Sequence, residues 1–106
     1  MIVEKTIALN LLYDTYGKLL TDKQQEVFEY YYHEDYSYQE IADILEISRS
    51  GVYDTLKRAC SLLEEYEEKL QFISKRTIFI NELYALENEQ VNKVIESYLF
   101  KGGKYE

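Results

Sequence analysis

Apolar side chains recur at intervals of three and four along most of the chain, and this spacing is typical of one face of an amphipathic α-helix. The pattern predicts five helices, over about residues 3–16, 21–35, 37–45, 48–84 and 88–100. No segment shows the strict alternation of apolar and polar residues that a half-buried strand requires. Proline, the strongest helix breaker, is absent. The sequence therefore predicts an all-α fold.

Capping residues mark the ends of these helices. The N-terminal signals are two capping boxes, Thr21-x-x-Gln24 and Ser37-x-x-Glu40, and two single caps, Ser48 and Asn88. Gly17 follows the first helix at the position where a left-handed C-terminal cap favours glycine. Each predicted helix after the first therefore has an identifiable start.

The segment from Ser37 to Arg58 has the pattern of a helix-turn-helix, in which a short helix, a tight turn and a second helix share a small apolar core. The predicted core residues are Ala42, Ile47, Val52 and Leu56. Ala42 is small enough for the two helices to cross closely. Such turns often hold glycine in a left-handed conformation, whereas this chain has Glu46, at a cost on the order of 1 kcal/mol.

The outward face of the second helix supplies candidate DNA contacts, which are Ser48, Arg49, Ser50, Tyr53, Asp54, Lys57 and Arg58. In a helix-turn-helix, the N-terminal end of this helix enters the major groove, and the first helix lies across the backbone. Arg49 lies beside free backbone N–H groups and suits a phosphate. The alternative is a solvated helix face, because Asp54 lies in its middle and four glutamates follow within residues 64–68.

The predicted fourth helix carries a heptad-type apolar stripe from Val52 to Tyr84. If unbroken from residue 48 to 84, this long helix would extend for about 55 Å, and we expect any bend at residues 74–77. The stripe either packs against the last helix or forms a seam between two copies. The seam residues of such a homodimer are Leu63, Tyr66, Leu70, Ile73 and Ile80.

This organisation predicts two domains. Residues 1–70 are expected to form a helix-turn-helix domain, an N-terminal helical bundle completed by the long fourth helix. Residues 71–106 are expected to form a C-terminal helical arm.

The charge balance weakens the case for bulk electrostatic binding to nucleic acid. The chain has 12 basic and 20 acidic residues, a net charge of −8, and residues 1–36, 37–63 and 64–106 are each negative. Proteins that bind nucleic acid tightly and without specificity usually have a strongly basic surface. DNA binding by this chain must therefore depend on a local site.

The sequence offers little for catalysis. With one cysteine (Cys60) and one histidine (His33), it predicts no intramolecular disulfide and no metal site. No glycine-rich phosphate loop or nucleophile–base arrangement stands out, so we expect neither an enzyme nor a cofactor. No signal peptide or membrane-spanning stretch is evident, so a cytoplasmic protein is expected.

Several short motifs together resemble a known family. They are Leu19-Leu20-Thr21-Asp22-Lys23-Gln24, Glu40-Ile41-Ala42, Val52-Tyr53-Asp54 and Leu63-Glu64-x-Tyr66-Glu67. They resemble the YlxM-like family of small proteins from Gram-positive bacteria and mycoplasmas, over about residues 3–72. Ser50-Gly51 departs from the Gln-Ala pair that is usual in the family. The resemblance implies a helix-turn-helix similar to sigma-70 region 4, the part of sigma factors that reads the −35 promoter element.

The resemblance also implies a link to the signal recognition particle, because the family is associated with the genes of its GTPase and receptor. Two functions follow. The first is a dimeric DNA-binding regulatory protein linked to that pathway. The second is a protein-binding accessory factor that modulates the signal recognition particle GTPase without sequence-specific DNA binding. The recognition helix favours the first and the net charge of −8 favours the second.

Overall fold

The computed structural model describes residues 3–102, which form six α-helices and one short 3₁₀ turn. The helices are α1 (Val3–Tyr16), α2 (Asp22–Tyr32), α3 (Tyr38–Leu45), α4 (Arg49–Leu70), α5 (Phe72–Tyr84) and α6 (Glu89–Gly102), and the 3₁₀ turn is Gly17–Leu19. Residues 3–102 contain no strand, so the predicted all-α fold is confirmed. The long fourth helix is also confirmed, since α4 has 22 residues.

The chain divides between Gln71 and Phe72 into two compact units. The first unit contains α1 to α4, and the second contains α5 and α6. The division into a helix-turn-helix domain (1–70) and a helical arm (71–106) stays a prediction, and residues 1–2 and 103–106 lie outside the described part. No helix within residues 3–102 is long and apolar enough to cross a membrane.

Both capping boxes are formed. At the start of α2, the Thr21 hydroxyl accepts a hydrogen bond from the Gln24 backbone N–H at 3.1 Å, and the Gln24 side chain accepts one from the Thr21 N–H at 3.0 Å. At the start of α3, the corresponding bonds between Ser37 and Glu40 measure 3.1 and 2.8 Å. Each box satisfies two donors that a helix start otherwise leaves unpaired, which fixes where α2 and α3 begin.

The prediction that Gly17 is a left-handed cap is wrong. Its backbone does not have a positive φ, and it opens the 3₁₀ turn that follows α1. Gly17 is buried, and a Cβ atom placed on it would lie 2.9 Å from the ring of Tyr13. The close approach of this ring is the reason that a residue without a side chain fits here.

The core of the first unit lies where α4 contacts α1, α2 and α3. The buried apolar residues here are Leu9, Tyr16, Leu20, Val27, Phe28, Ile41, Ala42, Val52, Leu56, Ala59 and Leu63. The Tyr16 ring is buried, and its hydroxyl donates a hydrogen bond to Glu67 Oε1 on α4 at 2.6 Å. Because α4 contacts the other three helices, it positions the helix-turn-helix on the rest of the unit.

The predicted helix over residues 48–84 is interrupted. It ends at Leu70, and Gln71 adopts a left-handed conformation with φ 57° and ψ 29° before α5 begins. The expected bend at residues 74–77 is wrong, because these residues lie within α5. The apolar stripe continues across Gln71 in the sequence, so its spacing gives no sign of the break.

The second unit is a hairpin of two helices. Asn88 caps α6, as predicted, by accepting a hydrogen bond from the Val91 N–H at 3.0 Å. Of the side chains described in this unit, Ile95 alone is buried. Most apolar side chains of the hairpin are therefore in contact with solvent.

Candidate nucleic-acid interface

The two helices of the motif, α3 and α4, are in contact, and the short segment between them is residues 46–48. Of the four predicted core residues, Ala42, Val52 and Leu56 are buried and Ile47 is half-buried. Ile41, which precedes Ala42, is also fully buried. The four predicted residues therefore lie together in the arrangement that a helix-turn-helix needs.

The turn closes around one left-handed residue. Glu46 has φ 58° and ψ 45°, and its N–H donates a hydrogen bond to the Ala42 carbonyl. The Ile47 N–H donates to the same carbonyl at 3.1 Å. Bonds of this kind satisfy carbonyls that a helix end would otherwise leave unpaired. The turn thus has the left-handed geometry expected at the position that often holds glycine, although its residue is glutamate.

The N-terminal end of α4 is held by its own cap. The Ser48 hydroxyl accepts a hydrogen bond from the Gly51 N–H at 2.9 Å and lies 3.2 Å from the Ser50 hydroxyl. A Cβ atom on Gly51 would lie 3.0 Å from the Ser48 oxygen, so an alanine there would press against the cap. Glycine leaves the Ser48 hydroxyl room to complete the helix start.

The seven candidate DNA contacts are all exposed: Ser48, Arg49, Ser50, Tyr53, Asp54, Lys57 and Arg58. No salt bridge joins Arg49, Lys57 or Arg58 to a carboxylate among the described residues. The three cations are therefore accessible to an anionic partner. Asp54 lies among them, so the surface has mixed charge.

A series of aromatic contacts connects this surface to α2. Tyr53 lies edge-on to Tyr38 with ring centroids 5.9 Å apart, and Tyr38 stacks on Tyr31 at 5.1 Å. Tyr31 in turn contacts Tyr32, which contacts the buried Phe28. Although Tyr53 is 47% exposed, its ring is supported by Tyr38, which limits the positions that it can adopt.

Within the first unit, a cavity of about 290 Å³ lies beside the candidate DNA contacts of α4. It is bordered by Tyr53 and Lys57 of α4, by Tyr38 at the start of α3 and by Lys5 of α1. Sequence reasoning missed Lys5 and Tyr38 as site residues. Lys5 is more than forty positions from α4 in the sequence, so local spacing does not indicate that the two lie together. Tyr38 follows the Ser37 cap directly, and this position at the start of the first helix of the motif is the one signal that indicates it.

Cys60 and Tyr32 also line this cavity. Burial is the main cause that raises the pKa of Cys60, and the hydrogen bond from Tyr32 partly opposes this rise. Burial is also the main cause that raises the pKa of Tyr38, with a further contribution from its hydrogen bond with Tyr31. At neutral pH these groups are protonated, so the carboxylate of Glu64 and the two lysines supply the charge of the cavity wall.

Comparison with known proteins identifies the family to which this chain belongs. A family model described as "Putative helix-turn-helix protein, YlxM / p13 like" matches residues 3–100. The chain belongs to this family, UPF0122. The YlxM-like resemblance is thereby confirmed, and it extends past residue 72 into the second unit.

Members of the UPF0122 family from several bacteria are similar to this chain. A UPF0122 protein of Thermoanaerobacter sp. strain X514 is 53% identical over 88 residues, which cover 83% of this chain and 71% of the relative. One from Lactococcus lactis subsp. cremoris strain MG1363 is 42% identical over 98 residues, covering 92% and 81%. One from Oceanobacillus iheyensis is 40% identical over 99 residues, covering 93% and 94%.

The UPF0122 description names a helix-turn-helix protein and no enzymatic activity. Within residues 3–102, no group of three or more histidine, cysteine, aspartate or glutamate side chains is placed to hold a metal ion.

The residues of the predicted dimer seam occupy different environments. Leu63 is fully buried in the first unit, and it therefore packs within one chain. Tyr66 is half-buried, with its ring centroid 6.0 Å from that of Tyr16, and Leu70 is 39% exposed. Ile73 and Ile80 lie beyond the break at Gln71 and are half-buried. A seam along the remaining four residues stays a prediction.

Proposed function

We propose that this chain is a DNA-binding regulatory protein that binds duplex DNA with the N-terminal half of α4. The observation that carries the proposal is the group of exposed cations, Arg49, Lys57 and Arg58, on the second helix of a helix-turn-helix. In this motif the second helix lies in the major groove, where its first residues contact base edges. Arg49 then contacts a phosphate or base next to the free N–H groups of the helix start, while Lys57 and Arg58 contact the flanking backbone.

The cavity beside α4 supports a backbone contact. In a helix-turn-helix, the first helix crosses the DNA backbone, and Tyr38 is the first residue of that helix here. Lys5 and Lys57 border the same cavity, and no carboxylate among the described residues forms a salt bridge with either. A phosphate of the crossing strand would meet Lys5, Lys57 and the hydroxyl-bearing rings of Tyr38 and Tyr53, with the carboxylate of Glu64 on the same cavity wall. Lys5 is accordingly proposed as a DNA contact outside the motif.

Few basic residues are available, so the affinity should depend only moderately on salt. A plot of the logarithm of the binding constant against the logarithm of the salt concentration has a slope of roughly −0.9 for each phosphate contact. Three to four contacts give a slope of about −3, far below that of strongly basic proteins. The Asp54 carboxylate and the net charge of −8 lower the affinity for nonspecific DNA further.

Fluorescence anisotropy with labelled duplexes, at several salt concentrations, tests the proposal. Arg49→Ala and Lys5→Ala should each weaken binding several-fold and reduce the salt slope by about one. Lys23→Ala, which removes an exposed lysine of α2 outside the motif, is the matched control and should bind like the unaltered chain. Absence of binding by the unaltered chain at low salt would refute DNA binding. If Arg49→Ala weakens binding and Lys5→Ala behaves like Lys23→Ala, the contact by Lys5 alone is refuted.

The acidic first unit favours a second candidate, a protein-binding accessory factor for the signal recognition particle GTPase, the partner that the family resemblance implies. Residues 1–71 contain 7 basic and 15 acidic side chains, and Glu64, Glu65 and Glu68 are exposed along α4. A basic partner would be attracted to this surface. The test is co-purification with that GTPase from nuclease-treated extract. Retention of the GTPase, and its loss with Glu64→Gln, Glu65→Gln and Glu68→Gln combined, supports this function; DNA binding with no GTPase retained excludes it.

A further inference from the structure

The second unit leaves large apolar side chains in solvent. Seven of them are more than half exposed, four on or just after α5 and three on α6. Those on or just after α5 are Phe72, Ile78, Phe79 and Leu86, and those on α6 are Val94, Tyr98 and Phe100. We call this set the hairpin surface. The hairpin buries Ile95 and no other described side chain.

A hairpin of two short helices gains little stability from itself. Isolated helices of this length are marginal in water, and in proteins their stability comes mainly from packing of an apolar face. Helices α5 and α6 have 13 and 14 residues, and most of their described apolar side chains are half-buried or exposed. The hairpin therefore needs a partner that covers this surface.

The distribution of charge indicates which partner fits. Residues 1–71 carry the whole net charge, with 7 basic and 15 acidic side chains, whereas residues 72–106 contain five of each. Two first units brought face to face would repel each other. Two hairpins carry no net charge, so they can meet without this repulsion. For the same reason, a hairpin has no excess of positive or negative charge that would attract a strongly acidic or basic partner.

The size of the hairpin surface also fits a dimer. The four aromatic side chains of the set, each more than half exposed, present on the order of 100 Å² apiece. Phe72 and Phe79 are seven positions apart and share one face of α5, and Val94 and Tyr98 are four positions apart and share one face of α6. A stable interface typically buries about 800 Å² on each partner. Apolar faces on paired helices associate readily into four-helix bundles.

From these observations we infer that the hairpin surface is the site where two copies of this chain associate, forming a four-helix bundle from two pairs of α5 and α6. The contact differs from the predicted seam, because none of the five seam residues belongs to the hairpin surface. It does not depend on the function of α4. If α4 binds DNA, the dimer presents two copies of the motif, which suits paired half-sites.

Sedimentation equilibrium of the full chain over a range of concentrations tests this inference. The unaltered chain should have twice its monomer mass of 12.7 kDa at micromolar concentration. Phe79→Glu and Val94→Glu, one on each helix, should each weaken association at least tenfold. Ile7→Glu is the matched control, because Ile7 on α1 is 62% exposed, as Phe79 is. The control should remain dimeric.

Two results would overturn the inference. One is a monomeric unaltered chain at micromolar concentration, which would leave the hairpin surface to another protein. The other is a dimer that survives both hairpin substitutions or is disrupted by Ile7→Glu. The melting temperature of the unaltered chain is a second measurement that needs no substitution. A dimer that unfolds with dissociation melts at higher temperature as concentration rises, and a concentration-independent value would contradict the inference.

Discussion

At the scale of single residues, this chain ends helices with polar residues in the left-handed conformation where glycine is common. Within residues 3–102, four non-glycine residues have positive φ: Asp35, Glu46, Gln71 and Glu87. Each follows a helix by one to three positions. A left-handed conformation costs a residue with a Cβ atom about 1 kcal/mol or more. The sequence indicated one of these positions, Glu46, because the turn of a helix-turn-helix is recognisable from the residues around it.

Glu46→Gly should raise the free energy of unfolding by about 0.5–1 kcal/mol, because glycine adopts the left-handed conformation without strain and its larger entropy cost offsets part of the gain. Chemical denaturation monitored by circular dichroism measures the change. Glu26→Gly, at an exposed position inside α2, is the control and should lower stability by about 1 kcal/mol. Equal destabilisation by both substitutions would mean that the turn at Glu46 does not have this geometry.

At the scale of helices, the sequence predicted the starts better than the ends. The caps at Thr21, Ser37, Ser48 and Asn88 are all formed, because hydroxyl and amide groups at fixed spacing satisfy local backbone donors. The end of α4 was missed because Gln71 is neither glycine nor proline and the apolar stripe runs past it. A helix end at one residue leaves no trace in the spacing of apolar positions.

Prediction of the site likewise succeeded for local features and failed for features that depend on packing between helices. The core and the exposed face of the helix-turn-helix follow from helical periodicity, which fixes which side chains share a face. The contributions of Lys5 and Tyr38 to the cavity depend on how α1 and α3 pack against α4, and that packing is not encoded in any local motif. The break at Gln71 likewise divides the apolar stripe between two units.

Two leucines of that stripe differ in burial and should differ in their contribution to stability. Leu63 is fully buried and Leu70 is 39% exposed, although both lie on α4 and both fit the same heptad pattern. Leu63→Ala should lower the free energy of unfolding by about 2–5 kcal/mol, because it leaves a cavity where α4 packs on its neighbours. Leu70→Ala should cost about 1 kcal/mol or less. Urea denaturation compares them, and similar losses for the two would contradict the difference in burial.

At the scale of the whole molecule, half-buried phenols make the fold sensitive to alkali. Burial raises the pKa of Tyr13 and Tyr32 well above the ordinary value of 10.0, and the hydrogen bond that Tyr13 donates to Glu29 adds to its rise. Because the folded state holds these phenols protonated, their contribution to stability is complete below pH 10 and is lost as the pH rises above it. The Cys60 thiol shifts in the same direction from 9.0.

The free energy of unfolding should therefore fall as the pH rises above about 9–10. Tyr32→Phe should make this fall shallower, because it removes one of the shifted groups. Tyr84→Phe alters a tyrosine of α5 that is 37% exposed, and it is the matched control. Urea titrations at pH 8, 10 and 11 provide the measurement. A slope that Tyr32→Phe leaves unchanged would show that ionisation of this phenol is not coupled to unfolding.

The position of the single thiol makes it a chemical probe of the first unit. Cys60 borders the space between α1 and α4 and is half-buried there. A maleimide or dithiobis reagent added to the intact chain meets this one thiol, and because the thiol is half-buried, the labelling rate measures how freely the reagent reaches the space between α1 and α4. Labelling rates with and without a bound duplex or protein would then tell whether that ligand restricts access to this space, and no amino-acid change is needed to measure them.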